Sequence, residues 1–325
     1  MSNTISLLQQ SFPGKPTFTE KDLPNLKDKV IIVTGANTGV GKEIARLCYR
    51  SHATVYMMAR SEEKTRKAMD DIKTDIRESR GQMIYHKLDL SDLKSVKASA
   101  QAFLAKEQKL HVLFNNAGVG YPEKGSTTAQ GYELQLGVNV LGTFAITKHL
   151  TPLLKSTVKT SLPGTVRVVW TSSSAAWGQS PKALIPSLDD WDKKGSYPQY
   201  CFTKLGNYYH STEYAARHAA DGIISVALNP GNLDSDFWRT MGPVTSCVLK
   251  KTLLSPPVYG AYTSVFAGLS PEVTLEKSGQ FVAPWGRFHN VSKEMLEATK
   301  SRSQGGTGAA QEFWVWTEAQ IKAFA

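Results

Sequence analysis

Tyr200 and Lys204 are the residues whose types and spacing best suit proton-transfer chemistry. They lie four residues apart in a segment with a helical pattern, so both side chains project from one face of the helix. A tyrosine pKa of about 10 is too high for efficient proton exchange at neutral pH, and a neighbouring ammonium group stabilises the phenolate. The pair could therefore serve as a general acid and base. In isolation, such a pair is more often part of a solvated helix surface.

A glycine-rich turn near the N-terminus suits anion binding. A Val-Ile-Ile-Val strand runs into Thr34, and an amphipathic helix follows. Glycines at this point let the backbone approach a pyrophosphate, and the helix N-terminus supplies free N–H groups. The spacing G-x-x-x-G-x-G differs from the G-x-G-x-x-G fingerprint, and the segment could be only a turn, but its position favours dinucleotide binding. The residues predicted to contact the dinucleotide are Gly35, Asn37, Thr38, Gly39, Val40 and Gly41.

The residues after the second strand bear on the choice between NAD and NADP. An acidic residue there would bind the ribose 2′-hydroxyl, but the sequence has Ala59 followed by Arg60. A guanidinium can pair with a 2′-phosphate in a bidentate manner, so NADP is favoured. The alternative is that Arg60 is simply a solvated residue at the start of a helix.

The third strand is followed by Asp89 and Leu90, which are predicted to lie at the adenine. The Asp89 carboxylate could accept a hydrogen bond from the adenine amine. It could also be a helix N-cap, although Ser91 and Asp92 are better placed for that role.

Short runs rich in valine and isoleucine alternate with longer amphipathic segments. Their continuous hydrophobicity is typical of strands covered on both faces, so the pattern predicts an α/β fold with a doubly wound parallel sheet of about seven strands and helices on both faces. The predicted strands are Val30–Thr34, Thr54–Ala59, Met83–Leu88, Val112–Asn115, Val166–Thr171, Ile223–Leu228 and Gly279–Ala283. The predicted helices are Gly41–Ser51, Glu62–Arg77, Asp92–Lys106, Asn139–Lys155, Tyr200–Ala220 and Gln311–Phe324.

The 325 residues are expected to form one catalytic domain over residues 28–304. An N-terminal extension over residues 1–27 precedes it, and a linker with a helix over residues 305–325 follows it. No signal peptide and no apolar run of about 18 residues is found, so we expect a cytoplasmic protein without a transmembrane segment.

The composition weighs against several other classes of protein. Three widely spaced cysteines do not form a disulfide framework, and no histidine or cysteine cluster suggests a metal site. The net charge of +10 arises mostly in residues 1–162, where 23 basic residues face 15 acidic ones. Most of these charges are interleaved, as on solvated helix faces, so no nucleic acid is expected as a partner.

Five segments in order carry a family resemblance: the glycine turn, Asn115–Gly118, Asn139, Ser172–Ser174 and Tyr200–Lys204. Together they resemble the short-chain dehydrogenase/reductase family, a Rossmann-type fold, over about residues 28 to 283. Further phrases resemble the branch of retinol dehydrogenases and WW-domain oxidoreductases. These phrases are Val138–Gly142, Leu188–Trp191 and Phe313–Glu318.

The resemblance implies a role for each site residue. Tyr200 would be the general acid and base, Ser173 would orient the substrate carbonyl, and Lys204 would also bind the nicotinamide ribose. Asn139 would hold a water that links Lys204 to solvent. Further contacts with the cofactor would come from Asn116, Ala117, Gly118, Pro230, Gly231, Leu233 and Ser235, although threonine is usual in the family at the position of Ser235.

Two longer segments should border the substrate: a substrate loop over residues 174–199 and a lid over residues 236–262. Their aromatic and apolar side chains suggest a lipophilic substrate, or they could merely pack the loops. The resemblance therefore predicts an NADP(H)-dependent carbonyl reductase acting on a lipophilic ketone, aldehyde or secondary alcohol, and it allows a homodimer. Alternatives are a cofactor-sensing scaffold, a nucleotide-sugar epimerase, or a lyase or cyclase that uses the same pocket.

Overall fold

The computed structural model of the chain describes residues 10–234 and 254–324. In these ranges eight strands form one sheet in the order β3-β2-β1-β4-β5-β6-β7-β8. All neighbouring strands pair in parallel except β7 and β8, which are antiparallel. The strands are β1 (Val30–Thr34), β2 (Thr54–Ala59), β3 (Gln82–Lys87), β4 (Val112–Asn115), β5 (Arg167–Thr171), β6 (Ile224–Leu228), β7 (Phe281–Ala283) and β8 (Arg287–His289).

Helices cover both faces of this sheet. They are α1 (Gly39–Arg50), α2 (Glu62–Asp75), α3 (Leu93–Leu104), α4 (Thr143–Val158), α5 (Leu184–Ser187), α6 (Ser196–Arg217), α7 (Pro257–Leu269), α8 (Lys293–Thr299) and α9 (Ala309–Ile321). A π-helical segment, Leu136–Gly142, leads directly into α4.

The strands are buried on both faces, as their continuous hydrophobicity predicts. Ile31 and Val33 of β1 belong to the hydrophobic core that includes residues of α1, α2 and α7, whereas Ile32 belongs to the core on the opposite face. The second core includes residues of α3, α4, α6 and α9. The prediction of a doubly wound parallel sheet is confirmed.

The structure differs from the sequence-based prediction at several element ends. Strand β8 was not predicted, because it is only three residues long and follows the tight turn at Gly286, whose φ is +86°. The predicted helix Asn139–Lys155 begins instead in the π-helical turn, and the predicted helix Tyr200–Ala220 begins at Ser196. Helix α1 begins at Gly39 rather than Gly41.

Both ends of the described chain pack against the sheet domain. Phe18 and Leu26 of the N-terminal extension are 5% and 3% exposed, and the Thr17 hydroxyl donates to the Gly286 carbonyl over 2.6 Å. At the other end, Trp314 of α9 is buried in the same core as α4 and α6. The division into residues 1–27, 28–304 and 305–325 stays a prediction, although no described part of the extensions stands apart.

Helix α9 lies over α4 and α6 around a buried histidine. His210 of α6 shares a 3.0 Å hydrogen bond between Nε2 and Thr317 Oγ1, and its ring stacks on Phe313 at a centroid distance of 5.0 Å. Phe144 of α4 lies on the same ring at 4.6 Å. His210 therefore joins three helices in one aromatic cluster.

This cluster predicts a loss of stability in acid. Burial lowers the pKa of His210 to about 3, whereas an unfolded histidine has a pKa of about 6.5. Between these values only the unfolded chain binds the proton, so the free energy of unfolding falls as the pH falls below about 6.5. The protonation of His210 in the unfolded chain should alone lower the free energy of unfolding by about 2 kcal/mol between pH 7 and pH 5.

Urea unfolding at the two pH values provides the measurement. We expect His210→Gln to show a smaller difference in unfolding free energy between pH 7 and pH 5 than the wild-type chain. Equal differences would show that His210 does not remain neutral in the folded protein.

Candidate active site

A cleft of about 700 Å³ opens at the carboxyl ends of the parallel strands. Ligands of open α/β sheets bind at this edge. Of the predicted site residues, those that line the cleft are Gly35, Asn37, Thr38, Gly39, Val40, Gly41, Arg60, Asp89, Leu90, Asn116, Ala117, Gly118, Ser173, Tyr200, Lys204, Pro230, Gly231 and Leu233. Asn139 lies behind the cleft wall, and Ser235 lies outside the described residues.

The turn between β1 and α1 has a backbone conformation that depends on residues without side chains. Gly35 and Gly39 have φ values of +67° and +53°, which favour glycine. A Cβ on Gly41 would lie 2.3 Å from the Gly35 carbonyl oxygen and 2.6 Å from Asn116 Nδ2. The backbone of the turn can therefore come close to a ligand, with the N-terminus of α1 facing the cleft.

The turn is fastened to the end of β4 by Thr34 and Asn116. The Thr34 hydroxyl accepts hydrogen bonds from the amides of Asn116 and Ala117, at 3.0 and 2.9 Å. The Asn116 Nδ2 donates to the Thr34 carbonyl over 2.9 Å. These contacts show that part of the predicted role of Asn116 is structural, because it holds two loops of the cleft together.

The end of the cleft beside β2 is basic. Arg60 is exposed and lines the cleft together with Ser61 and Lys64. Ser61 is the N-cap of α2 and accepts from the Lys64 amide over 3.3 Å, which holds the first turn of the helix at the cleft. Two cationic side chains, Arg60 and Lys64, thus lie at this end of the cleft, and the predicted contact of Arg60 with a 2′-phosphate stays a prediction.

Asp89 lines the cleft without capping a helix. Its Oδ1 accepts from both the amide and the hydroxyl of Ser91, at 2.9 and 2.6 Å. The N-cap of α3 is Asp92, whose Oδ1 accepts from the Lys94 amide over 3.0 Å. The capping alternative for Asp89 is therefore wrong, and the adenine-binding role stays a prediction.

The side chains of Tyr200, Lys204 and Ser173 converge at the other end of the cleft. Tyr200 is 9% exposed, and its hydroxyl is hydrogen-bonded with the Ser173 side chain. The Lys204 Nζ lies 5.6 Å from the centroid of the Tyr200 ring and donates to the Thr171 carbonyl over 3.0 Å. All three consecutive serines line the cleft, but the hydroxyl of Ser172 is engaged elsewhere, because it donates to the Lys204 carbonyl over 2.7 Å.

The pKa shifts of this pair are governed by burial. Burial raises the pKa of the Tyr200 hydroxyl above its usual value, and the hydrogen bond from Ser173 only partly opposes this effect. Burial also lowers the pKa of Lys204 to about 8. The direction of the Tyr200 pKa shift is opposite to the one expected from the Tyr-x-x-x-Lys spacing, because desolvation of the buried phenol is the largest effect on this pKa.

Asn139 lies in the π-helical segment and is fully buried. Its Oδ1 accepts from the Val119 amide and its Nδ2 donates to the Val119 carbonyl, both over 2.8 Å. The Nδ2 also donates to the Thr203 hydroxyl over 3.1 Å. Asn139 thus links the loop after β4 to the catalytic face of α6, and a water-mediated link to Lys204 stays a prediction.

The loop after β6 reaches the cleft at Pro230, Gly231 and Leu233. Gly231 has a φ of +88°, and its amide donates to the Asn229 side chain over 3.0 Å. Residues 236–253 of the predicted lid lie outside the described residues. At the end of that segment, residues 257–262 belong to α7, where Ala261 is buried against the body of the protein, and the lid stays a prediction.

The substrate loop over residues 174–199 contains aromatic residues that pack in the core and an aromatic residue that lines the cleft. Trp177 and Trp191 are each 5% exposed and pack in the core. Tyr197, in contrast, is 54% exposed and lines the cleft. The packing alternative therefore holds for the two tryptophans, whereas Tyr197 lines the cleft and its contact with a substrate stays a prediction.

The cleft is also lined by residues that were not predicted from the sequence, and two of them are Lys64 and Tyr121. Lys64 could have been found as the second cation one helical turn after Arg60. Tyr121, which lies against Tyr200, carries no recognisable signal, because its position depends on the path of the loop after β4.

The fold and the site define a class of protein, and comparison with known sequences agrees. Residues 29–243 match the family model for short chain dehydrogenases. A short-chain dehydrogenase/reductase from Phomopsis amygdali is 46% identical over 320 residues, which cover 97% of this chain and 96% of the relative. Another, pkfC from Emericella nidulans, is 40% identical and covers 95% and 97%. The chain belongs to the short-chain dehydrogenase/reductase family and is therefore an oxidoreductase by family.

Solved structures share the fold. An uncharacterized protein from Mycobacterium paratuberculosis superposes with a TM-score of 0.67 at 28% identity, covering 94% of this chain and 97% of that one. The complex of Pseudomonas aeruginosa RhlG with NADP gives a TM-score of 0.63 at 21% identity, covering 83% and 97%. In the part of the chain described here, no helix is long and apolar enough to cross a membrane.

Proposed function

We propose that the protein transfers a hydride between NADP(H) and a lipophilic ketone, aldehyde or secondary alcohol. The observation that carries this proposal is the convergence of Ser173, Tyr200 and Lys204 at one end of a cleft whose other end has a glycine turn and two cations. One continuous cleft joins these two ends, as the binding of an extended dinucleotide requires.

The protein residues would manage the proton and the orientation of the substrate. The nicotinamide supplies the hydride when bound. Tyr200 is hydrogen-bonded with Ser173, so a carbonyl oxygen placed between them would meet two hydroxyl donors. As charge develops on that oxygen, the Tyr200 hydroxyl donates its proton, and in the oxidation of an alcohol it takes one.

Lys204 would act by charge and by binding. Its pKa of about 8 leaves the ammonium mostly protonated at neutral pH, where it favours the phenolate form of Tyr200. From its position beside the ring it is also placed to bind the nicotinamide ribose, as the family resemblance implies. A cationic nicotinamide would lower the pKa of Tyr200 further and so counter the effect of burial.

The preference for NADP rests on Arg60 and Lys64. β2 ends at Ala59 and is followed directly by Arg60, so no acidic residue stands at that position to bind a ribose 2′-hydroxyl, and the two cations that line this end of the cleft support binding of a 2′-phosphate. Charge-assisted hydrogen bonds from a guanidinium are the strong and specific contacts for such a group.

Cytoplasmic location and a homodimer stay predictions. Helix α9 occupies the groove between α4 and α6, where Lys148 forms a 2.7 Å salt bridge with Glu318. Family members often pair through the helices that begin near Asn139 and Tyr200, so a homodimer of this protein would have to form around α9.

A screen of NADPH oxidation tests the proposed function. Aryl, alkyl and terpenoid ketones and aldehydes serve as substrates, with NADP⁺ reduction by the matching alcohols as the reverse assay. We expect saturable NADPH oxidation with a subset of the lipophilic carbonyls. Tight NADPH binding without turnover of any carbonyl or alcohol would favour a cofactor-sensing or lyase function instead.

A further inference from the structure

Tyr121 covers one side of the proposed general acid. It is carried by the loop after β4, and its ring centroid lies 5.4 Å from that of Tyr200, with the two planes tilted by 35°. Both rings line the cleft. A flat ring occupies about 3.5 Å along its normal, so a second molecule could not enter between rings at this distance. Substrate must therefore reach the Tyr200 hydroxyl from the remaining side.

The position of Tyr121 is held by the backbone in an unusual conformation. Its φ is +49°, in the left-handed region that a bulky side chain rarely adopts. Such conformations cost free energy, persist only when the surroundings impose them, and cluster at functional sites.

The side chain of Gln135, which is fully buried, holds the Tyr121 backbone by a hydrogen bond. Its Oε1 accepts from the Tyr121 amide over 3.2 Å. Its Nε2 donates to the carbonyl and the hydroxyl of Ser196, at 3.2 and 3.3 Å. Because Ser196 is the first residue of α6, one side chain connects the loop of Tyr121 to the helix of Tyr200.

Glu133 holds Gln135 in place. Its carboxylate accepts from the amides of Gln135 and Leu136, both over 2.9 Å, and from the Trp191 indole N–H over 3.2 Å. The support of Tyr121 thus reaches into the substrate loop, and the ring of Tyr121 is a fixed wall of the site.

We propose that Tyr121 determines substrate specificity by limiting the width of the site beside Tyr200. This inference rests on the proposed function. Carbonyl compounds with flat groups next to the carbonyl carbon, such as aryl or conjugated ketones, fit along the Tyr121 wall. Compounds with a quaternary carbon next to the carbonyl collide with it. Tyr121 is the specificity residue, and Gln135 is a positioning residue that acts through it.

The test compares acetophenone with 2,2-dimethylpropiophenone, its tert-butyl analogue. We expect the wild-type protein to prefer acetophenone at least tenfold in kcat/KM, and Tyr121→Phe to keep that preference because the ring remains. Tyr121→Ala should lose most of it, as should Tyr121→Asn, which removes the ring but suits a positive φ. Glu123→Ala, an exposed change in the same loop, is the matched control.

Gln135→Leu tests the positioning role. We expect it to relax the preference as Tyr121→Ala does, and the double variant to add little further, because both act on one wall. Additive effects, or a Gln135→Leu variant with wild-type preference, would overturn the role of Gln135.

Binding of the same two ketones to the NADP⁺-loaded protein gives a readout independent of turnover, since this combination cannot transfer a hydride. If the wild-type protein binds acetophenone more tightly than its tert-butyl analogue and Tyr121→Ala does not, the inference is supported, even if no turnover is found and the proposed function fails. Three results would overturn the inference about Tyr121, whatever the outcome for the proposed function. They are equal turnover of both ketones, a preference that is unchanged in Tyr121→Ala and Tyr121→Asn, and binding of neither ketone.

Discussion

Tyr200→Phe is expected to lower turnover by about 10²- to 10⁴-fold, the usual contribution of a general acid, while NADPH binding stays nearly unchanged. The substitution keeps the ring over which Lys204 Nζ lies and removes only the hydroxyl that is hydrogen-bonded with Ser173. Steady-state kinetics with the best carbonyl of the screen and NADPH titration by fluorescence provide the two measurements.

A matched control is available on the same helix. Tyr208 is also buried, at 2% exposure, but it does not line the cleft. Tyr208→Phe also removes the hydroxyl of a buried tyrosine, but it should keep wild-type turnover. If Tyr200→Phe turned over as fast as Tyr208→Phe, the proposed role of Tyr200 as the general acid would be wrong.

The second large effect is expected for Arg60→Ala. Hydrogen bonds to charged groups contribute about 1.5–3 kcal/mol, so loss of the guanidinium should weaken NADPH binding by roughly 10- to 150-fold. NADH binding should change little, because NADH lacks the 2′-phosphate. The NADPH effect should be smaller at high salt, since Arg60 is exposed.

Arg66→Ala is the control for net charge. Arg66 lies on α2, which follows Arg60 in the chain, and forms a salt bridge with Glu62 at 2.6 Å, but it does not line the cleft. We expect it to affect the two cofactors equally and weakly. An Arg60→Ala variant that weakened NADH and NADPH to the same degree would refute recognition of a 2′-phosphate.

Much of the cleft could be predicted because it is built from strand ends. The carboxyl ends of parallel strands meet at one edge, so the residues that follow β1, β2, β3, β4 and β5 had to be neighbours. Local patterns also identified the helix that carries Tyr200 and Lys204. The spacing of these two residues was sufficient to place both on one side of that helix.

The remaining features depend on the path of loops and on burial. The contact between Tyr121 and Tyr200 needs a positive φ and a buried amide from Gln135, which comes from a separate segment. The pKa of Tyr200 depends on how deeply the phenol is desolvated, which residue spacing does not report. Likewise, only tertiary packing separates the buried Trp191 from the exposed Tyr197.

The C-terminal helix also has a consequence for biosynthesis. Helix α6 completes its core only against Phe313, Trp314 and Thr317 of α9, which are translated well after α6. A nascent chain that has emerged from the ribosome as far as Tyr200 therefore still lacks the residues of α9 that cover His210. The helix that carries the proposed general acid cannot reach its final packing until α9 has been synthesised, so a chain truncated before Phe313 would leave an aromatic surface open to aggregation.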